Sequence, residues 1–103
     1  MNYILGERET GAGRHAVSVD GELDMTAAPE FRDAIHAAID AGASTVVVDL
    51  NEVTFIDSTA IGVLLGARER LRRSGGSLQI VCDEPNVVRI LEIMGMRSVA
   101  SAG

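Results

Sequence analysis

Val46-Val47-Val48-Asp49-Leu50-Asn51-Glu52-Val53-Thr54-Phe55-Ile56-Asp57-Ser58-Thr59-Ala60-Ile61-Gly62-Val63-Leu64-Leu65 decides the fold. The run from Val46 to Leu50 is apolar on both faces and reads as a buried strand. Ile61, Leu64, Leu65 and Leu71 then fall at helical spacing, so a helix is expected to pack on that strand. Asp57-Ser58-Thr59 stands at the junction. Short oxygen-bearing side chains are the types that cap helices, because they accept from the free N–H groups of the first turn. The junction therefore displays a hydroxyl where the helix dipole favours added negative charge.

Outward from this centre, Tyr3-Ile4-Leu5 and Ala16-Val17-Ser18-Val19 read as two strands of an edge hairpin, separated by the turn-rich Thr10-Gly11-Ala12-Gly13. Gly21-Glu22-Leu23-Asp24 ends the second strand. Thr26 is the expected cap of a helix running to about Ala41, with Pro29 in its first turn and Phe31, Ala34, Ile35, Ala38 and Ile39 on its buried face. After the second helix, Gly75-Gly76 is the stop and Ser77-Leu78-Gln79-Ile80-Val81 the next strand. Pro85 opens a third helix, whose stripe is Val87, Ile90, Leu91 and Met94, with Met94 expected as core filler.

Alternating strands and helices connect by right-handed crossovers into a parallel sheet. The expectation is a single α/β domain over 1–103: a mixed, mostly parallel sheet of about four strands, with three or four helices and an edge hairpin at the amino terminus. Its core spans about 3–96, and 97–103 are expected to be a frayed tail. Sites in such sheets gather beyond the carboxyl ends of the strands, which puts Asp24 and Asp57-Ser58 on one surface.

The segment Phe55-Ile56-Asp57-Ser58-Thr59-Ala60-Ile61-Gly62 resembles the phosphorylation segment of STAS domains that act as anti-sigma-factor antagonists. Gly21-Glu22-Leu23-Asp24 with Ala27-Ala28-Pro29-Glu30-Phe31 resembles that family's second strand and first helix. Val88-Arg89-Ile90-Leu91-Glu92-Ile93-Met94-Gly95-Met96 is similar to its closing helix. The likeness covers about residues 15 to 99, with the three stretches in family order. It implies that Ser58 is the phosphoacceptor and that Asp24, Asp57, Ser58, Thr59 and Gly62 touch a partner. That partner would be an anti-sigma factor that is also a serine-protein kinase, sequestered by the unphosphorylated domain so that a sigma factor is freed. Phosphorylation of Ser58 would end the binding, and a phosphatase would reset it. Thr59 stands where a second Ser is frequent, which leaves it as a competing acceptor; Ser58, expected at the helix cap, is expected to be modified in preference to Thr59, which the helix begins to enclose. Ala60 replaces the usual Gly, a methyl that favours the helix but narrows the approach of a kinase. The other reading that the resemblance allows is a structural STAS subunit of a signalling assembly or a lipid transporter. The antagonist is expected as a monomer or weak homodimer, the subunit as a stable oligomer.

Composition excludes several other classes. A chain of 103 residues with 47% apolar residues supports one packed core rather than disorder. The formal charge of −6 argues against nucleic acid and anionic membranes, which select basic surfaces. The basic cluster Arg68, Arg70, Arg72 and Arg73 reads as a solvated helix end. Met1 to Thr10 lacks the pattern of a secretory signal, no stretch reaches the ~20 apolar residues of a membrane span, and the single Cys82 suits a reducing compartment, so a cytoplasmic location is expected.

Ser58 does not lie in Gly-x-Ser-x-Gly. His36 reads as solvated, on the side of its helix away from the buried stripe, and His15 as remote, so no catalytic residue is expected. Asp20, Glu22 and Asp24 lack the Gly and distal Glu of a calcium loop, and Gly11-Ala12-Gly13 lacks the Lys-Ser/Thr of a phosphate loop. Neither metal nor cofactor is expected.

Overall fold

The computed structural model describes residues 2–99. Strands β1 (Tyr3–Gly11) and β2 (Arg14–Leu23) form the antiparallel hairpin, turned at Ala12-Gly13. The chain then runs through α1 (Ala28–Asp40), β3 (Thr45–Ile56), α2 (Ser58–Arg73), β4 (Ser77–Val81), α3 (Pro85–Ile93) and β5 (Ser98–Val99). Every strand pair after the hairpin is parallel, and the order across the sheet is β1-β2-β3-β4-β5.

Because each right-handed crossover steps the same way across the sheet, all helices fall on one face. The alternation of burial agrees. Val17, Val19 and Leu23 of β2 and Val46, Val48 and Leu50 of β3 are buried under the helices, whereas Ser18 and Asp20 are exposed on the reverse side. From α1, Phe31, Ala34, Ile35 and Ala38 enter this core, and α2 adds Ala60, Ile61, Leu64, Ala67 and Leu71. Burying one of the larger side chains contributes about 1.5–3 kcal/mol, which holds the helix layer on the sheet.

Several expectations need correction. The central strand runs seven positions past Asp49, the last to pair with β4, and over that length it pairs with β2 alone. There it tolerates the exposed Glu52 and Thr54, which broke the apolar run in the sequence. The tail expected at 97–103 is not frayed from its start: Ser98–Val99 pairs with Ile80–Val81 as a short fifth strand, since the backbone of an edge supplies hydrogen bonds whatever the side chains. Residues 100–103 lie outside the described residues. Met94 is not core filler. Helix α3 ends at Ile93, so the period cannot be carried to Met94, which is 44% exposed; Gly95 reverses the chain at φ 79° and delivers Met96 to the core instead. Ile90 is also partly exposed, leaving Val87 and Leu91 as the buried stripe.

His36 is not simply solvated. Its Nδ1 lies 2.7 Å from Nη1 of Arg70, whose guanidinium also reaches Asp40, so the ring helps to tie α1 to α2. Arg68 likewise donates to the Gly95 carbonyl at 3.1 Å, joining α2 to the end of α3. The arginine cluster is thus partly structural, while Arg72 and Arg73 pair locally with Glu69. Among the causes of the lowered Glu69 pKa, the hydrogen bond from Arg72 is the largest.

Candidate functional site

Two adjacent parallel strands end in the same device. At the end of β3, Asp57 is extended (φ −115°, ψ 178°), and its Oδ1 accepts from the Ala60 N–H at 3.1 Å, while its carbonyl accepts from Ile61 N at 3.1 Å. At the end of β2, Asp24 Oδ1 accepts from the N–H groups of Thr26 and Ala27 at 3.0 and 3.2 Å, and its carbonyl accepts from Ala27 and Ala28. The Asp57 N–H donates to the Leu23 carbonyl at 3.3 Å, which ties the two turns together. Asp24 and Asp57-Ser58 therefore do share one surface.

The cap of α2 is Asp57 rather than Ser58, which is instead the first helical residue. That frees the Ser58 hydroxyl from capping: it is exposed, one residue into the positive end of the helix dipole. Thr26 is likewise not the cap of α1. The boundary residue is Ala27, which has no side-chain cap bond, and the Asp24 carboxylate serves the turn in its place.

Thr59 is exposed as well, so enclosure by the helix does not separate it from Ser58. It lines a cleft of about 150 Å³ with Met25, Ala28, Pro29, Arg32 and Val63, between the amino-terminal ends of α1 and α2. Ala60 is completely buried, so its methyl packs in the core and does not narrow the approach to Ser58. Gly62 is exposed, with open space where a Cβ would stand; at i+4 from Ser58 it leaves the helix surface bare beside the hydroxyl. The Tyr3 hydroxyl donates to Glu30 at 2.5 Å. Its pKa is raised, first by that hydrogen bond, then by burial and by the charges of Glu30 and Asp24. Beside Ser58 the carboxylates of Asp57 and Asp24 mark the strand ends, while Arg32 of α1 lines the cleft that Thr59 faces.

Met25, Arg32 and Val63 were not anticipated from the sequence. Met25 is 69% exposed in the turn after Asp24, and an apolar residue set outside any helical or strand period was the available signal. Among the described residues, no three His, Cys, Asp or Glu side chains are placed to hold a metal ion, and no helix is long and apolar enough to cross a membrane.

A one-sided mixed sheet whose central strand delivers a serine to the start of a helix defines a small α/β recognition domain, built around a displayed hydroxyl rather than a deep pocket. Residues 8–100 match the model of the STAS domain, and the chain belongs to that family. It is similar to the anti-sigma-B factor antagonist of Bacillus subtilis, 29% identical over 81% of this chain and 75% of that protein. The protein of the same name from Listeria monocytogenes is 28% identical over 96% and 87%. Among solved structures, an anti-sigma factor antagonist from Mycobacterium paratuberculosis superposes with a TM-score of 0.82 at 27% identity, covering 94% of this chain and 85% of that one. The unphosphorylated form of the anti-sigma factor antagonist SpoIIAA reaches a TM-score of 0.86 at 22% identity over 96% and 89%, which establishes the shared fold.

Proposed function

We propose that this chain is an anti-sigma-factor antagonist whose binding is switched at Ser58. The observation that carries the reading is the exposed Ser58, released from capping by Asp57 and set beside Asp24 at the carboxyl ends of the two central strands. Unphosphorylated, the domain binds an anti-sigma factor that is also a serine kinase, and a sigma factor is freed. It acts by binding and carries out no chemistry itself. The kinase phosphorylates Ser58, and a phosphatase restores the hydroxyl. The domain works in the cytoplasm, where that partner and the transcription machinery reside.

The electrostatics support a release mechanism. Phosphate adds about −1.5 to −2 charges, which the start of α2 tolerates. The domain itself stays folded. The same charge, placed beside Asp57 and Asp24 on a surface that must be desolvated for binding, opposes the contact.

The test is calorimetric titration of the partner kinase against wild type, Ser58→Ala and Ser58→Asp, with mass spectrometry of the Ser58 peptide after incubation with ATP. Ser58→Ala keeps wild-type affinity and is never released. Ser58→Asp binds at least ~10-fold more weakly, about 1.4 kcal/mol or more. Equal affinities for all three would place Ser58 outside the interface and favour a structural STAS subunit. Phosphate mainly on Thr59 would move the switch by one residue.

A further inference from the structure

The face of the sheet turned away from the helices carries a second surface, distinct from the one around Ser58. Cross-strand register fixes which side chains it holds. Ile4 pairs with Asp20 and Asp20 with Glu52, so these three form one row across β1, β2 and β3; Glu22 and Phe55 form the next. Gly6, Ser18 and Asp49 form the row on the other side. Two large apolar side chains thus stand in solvent on this face, Ile4 at 72% and Phe55 at 51% exposure. Around them are four carboxylates, Asp20, Glu22, Asp49 and Glu52. Beside them a hollow of about 390 Å³, lined by Gly6, Glu7, Arg8, Ala16, Ser18 and Asp49, offers room for a side chain from outside. Two basic residues share this face: Arg8 stands in the row next to Asp49 and lines the hollow, and Arg14 lies further along, at the hairpin turn.

Exposed apolar groups flanked by an excess of one charge, here four carboxylates against two arginines, mark an interaction surface, and the sign of the excess selects the partner. A second copy of this chain laid face to face with its strands parallel would set carboxylates against carboxylates, and one laid antiparallel would offer only Arg8 and Arg14 to the four carboxylates. We propose that the uncovered sheet face docks a basic amphipathic helix of a partner protein, with its apolar stripe on Ile4 and Phe55 and its Lys or Arg residues against Asp20, Glu22, Asp49 and Glu52. A helix of about 18 residues is roughly 27 Å long, comparable with the 27 Å breadth of the molecule. This site is independent of the state of Ser58.

The full chain, labelled with nitrogen-15, is titrated with a synthetic amphipathic helix of Leu and Lys about 18 residues long and with its Leu and Glu counterpart. The Leu/Lys peptide shifts the amides of Ile4, Asp20, Glu52 and Phe55, and the Leu/Glu peptide does not bind. Phe55→Ser and, separately, Ile4→Ser weaken binding at least ~5-fold, whereas Ile93→Ser, an exposed apolar position on the helix side, leaves it unchanged. Shifts centred on α3 or on the cleft between Met25 and Val63 overturn the proposal, as does full affinity in both sheet-face variants. Concentration-dependent shifts of the same rows without peptide would make the occupant a second copy and overturn it too.

Discussion

Asp57→Ala removes the oxygen that accepts from the Ala60 N–H, and the loss of such a cap costs about 0.5–2 kcal/mol. Ser58→Ala removes an exposed hydroxyl that caps nothing, so its effect should stay within about 0.5 kcal/mol. Urea midpoints for the two variants check the pair; equal losses would show that Ser58 shares the capping. Cys82 offers a different residue-scale test. Its thiol is buried after β4, near the Leu50 and Glu84 carbonyls, and burial is the first cause of its raised pKa. The native state then holds a proton that the unfolded state gives up, so stability is complete below the ordinary thiol range and falls as pH rises through it towards the folded value. Alkylation of Cys82 should proceed only through opening of the structure and accelerate with denaturant. A rate equal to that of a free thiol in native buffer would contradict the burial. The residue types at 57–59 announce a cap, but placing it at Ser58 is one residue late: Asp and Ser are about equally good, and the extended backbone that β3 imposes gives the position to Asp57.

At the scale of elements, Leu64 sits on the completely buried face of α2, and Leu64→Ala should lose about 2–5 kcal/mol. His36→Ala should cost less but remain measurable, about 0.5–1.5 kcal/mol, because it removes the hydrogen bond with Arg70 while leaving Arg70 its contact with Asp40. Thermal or chemical denaturation ranks them; a His36 variant as damaging as Leu64→Ala would mean that the α1–α2 contact depends on the ring more than on the apolar seam. The helices were legible because Phe31, Ala34, Ile35 and Ala38, and likewise Ile61, Leu64 and Leu71, keep one period against one surface. Legibility failed where an element ended. The period through α3 pointed to Met94, but only the reversal at Gly95 determines that Met96 is the methionine inside. The outer half of β3 was hidden for another reason: a strand paired on one side only needs no apolar run, and Glu52 and Thr54 masked it.

For the whole molecule, the net charge of −6 and the carboxylates on both the Ser58 rim and the uncovered sheet face oppose self-association. Sedimentation at micromolar concentration should return a monomer or a weak homodimer; a stable higher oligomer would favour a structural subunit over an antagonist. The alternation of elements made the parallel sheet readable, whereas the two-residue β5 carries no pattern and exists only through pairing with Ile80 and Val81. That the strands lie side by side in the order in which they occur along the chain also bears on how the protein is made. As the nascent polypeptide leaves the ribosome, each strand finds its neighbour already extruded, and none has to wedge between two that have closed. At translation speeds of about 5–20 residues per second, β3 follows β2 by roughly one to seven seconds, long compared with the microseconds in which a hairpin such as β1–β2 closes. The growing sheet can therefore be assembled from one edge, with the start of α2 and its serine emerging only after the strand that positions them.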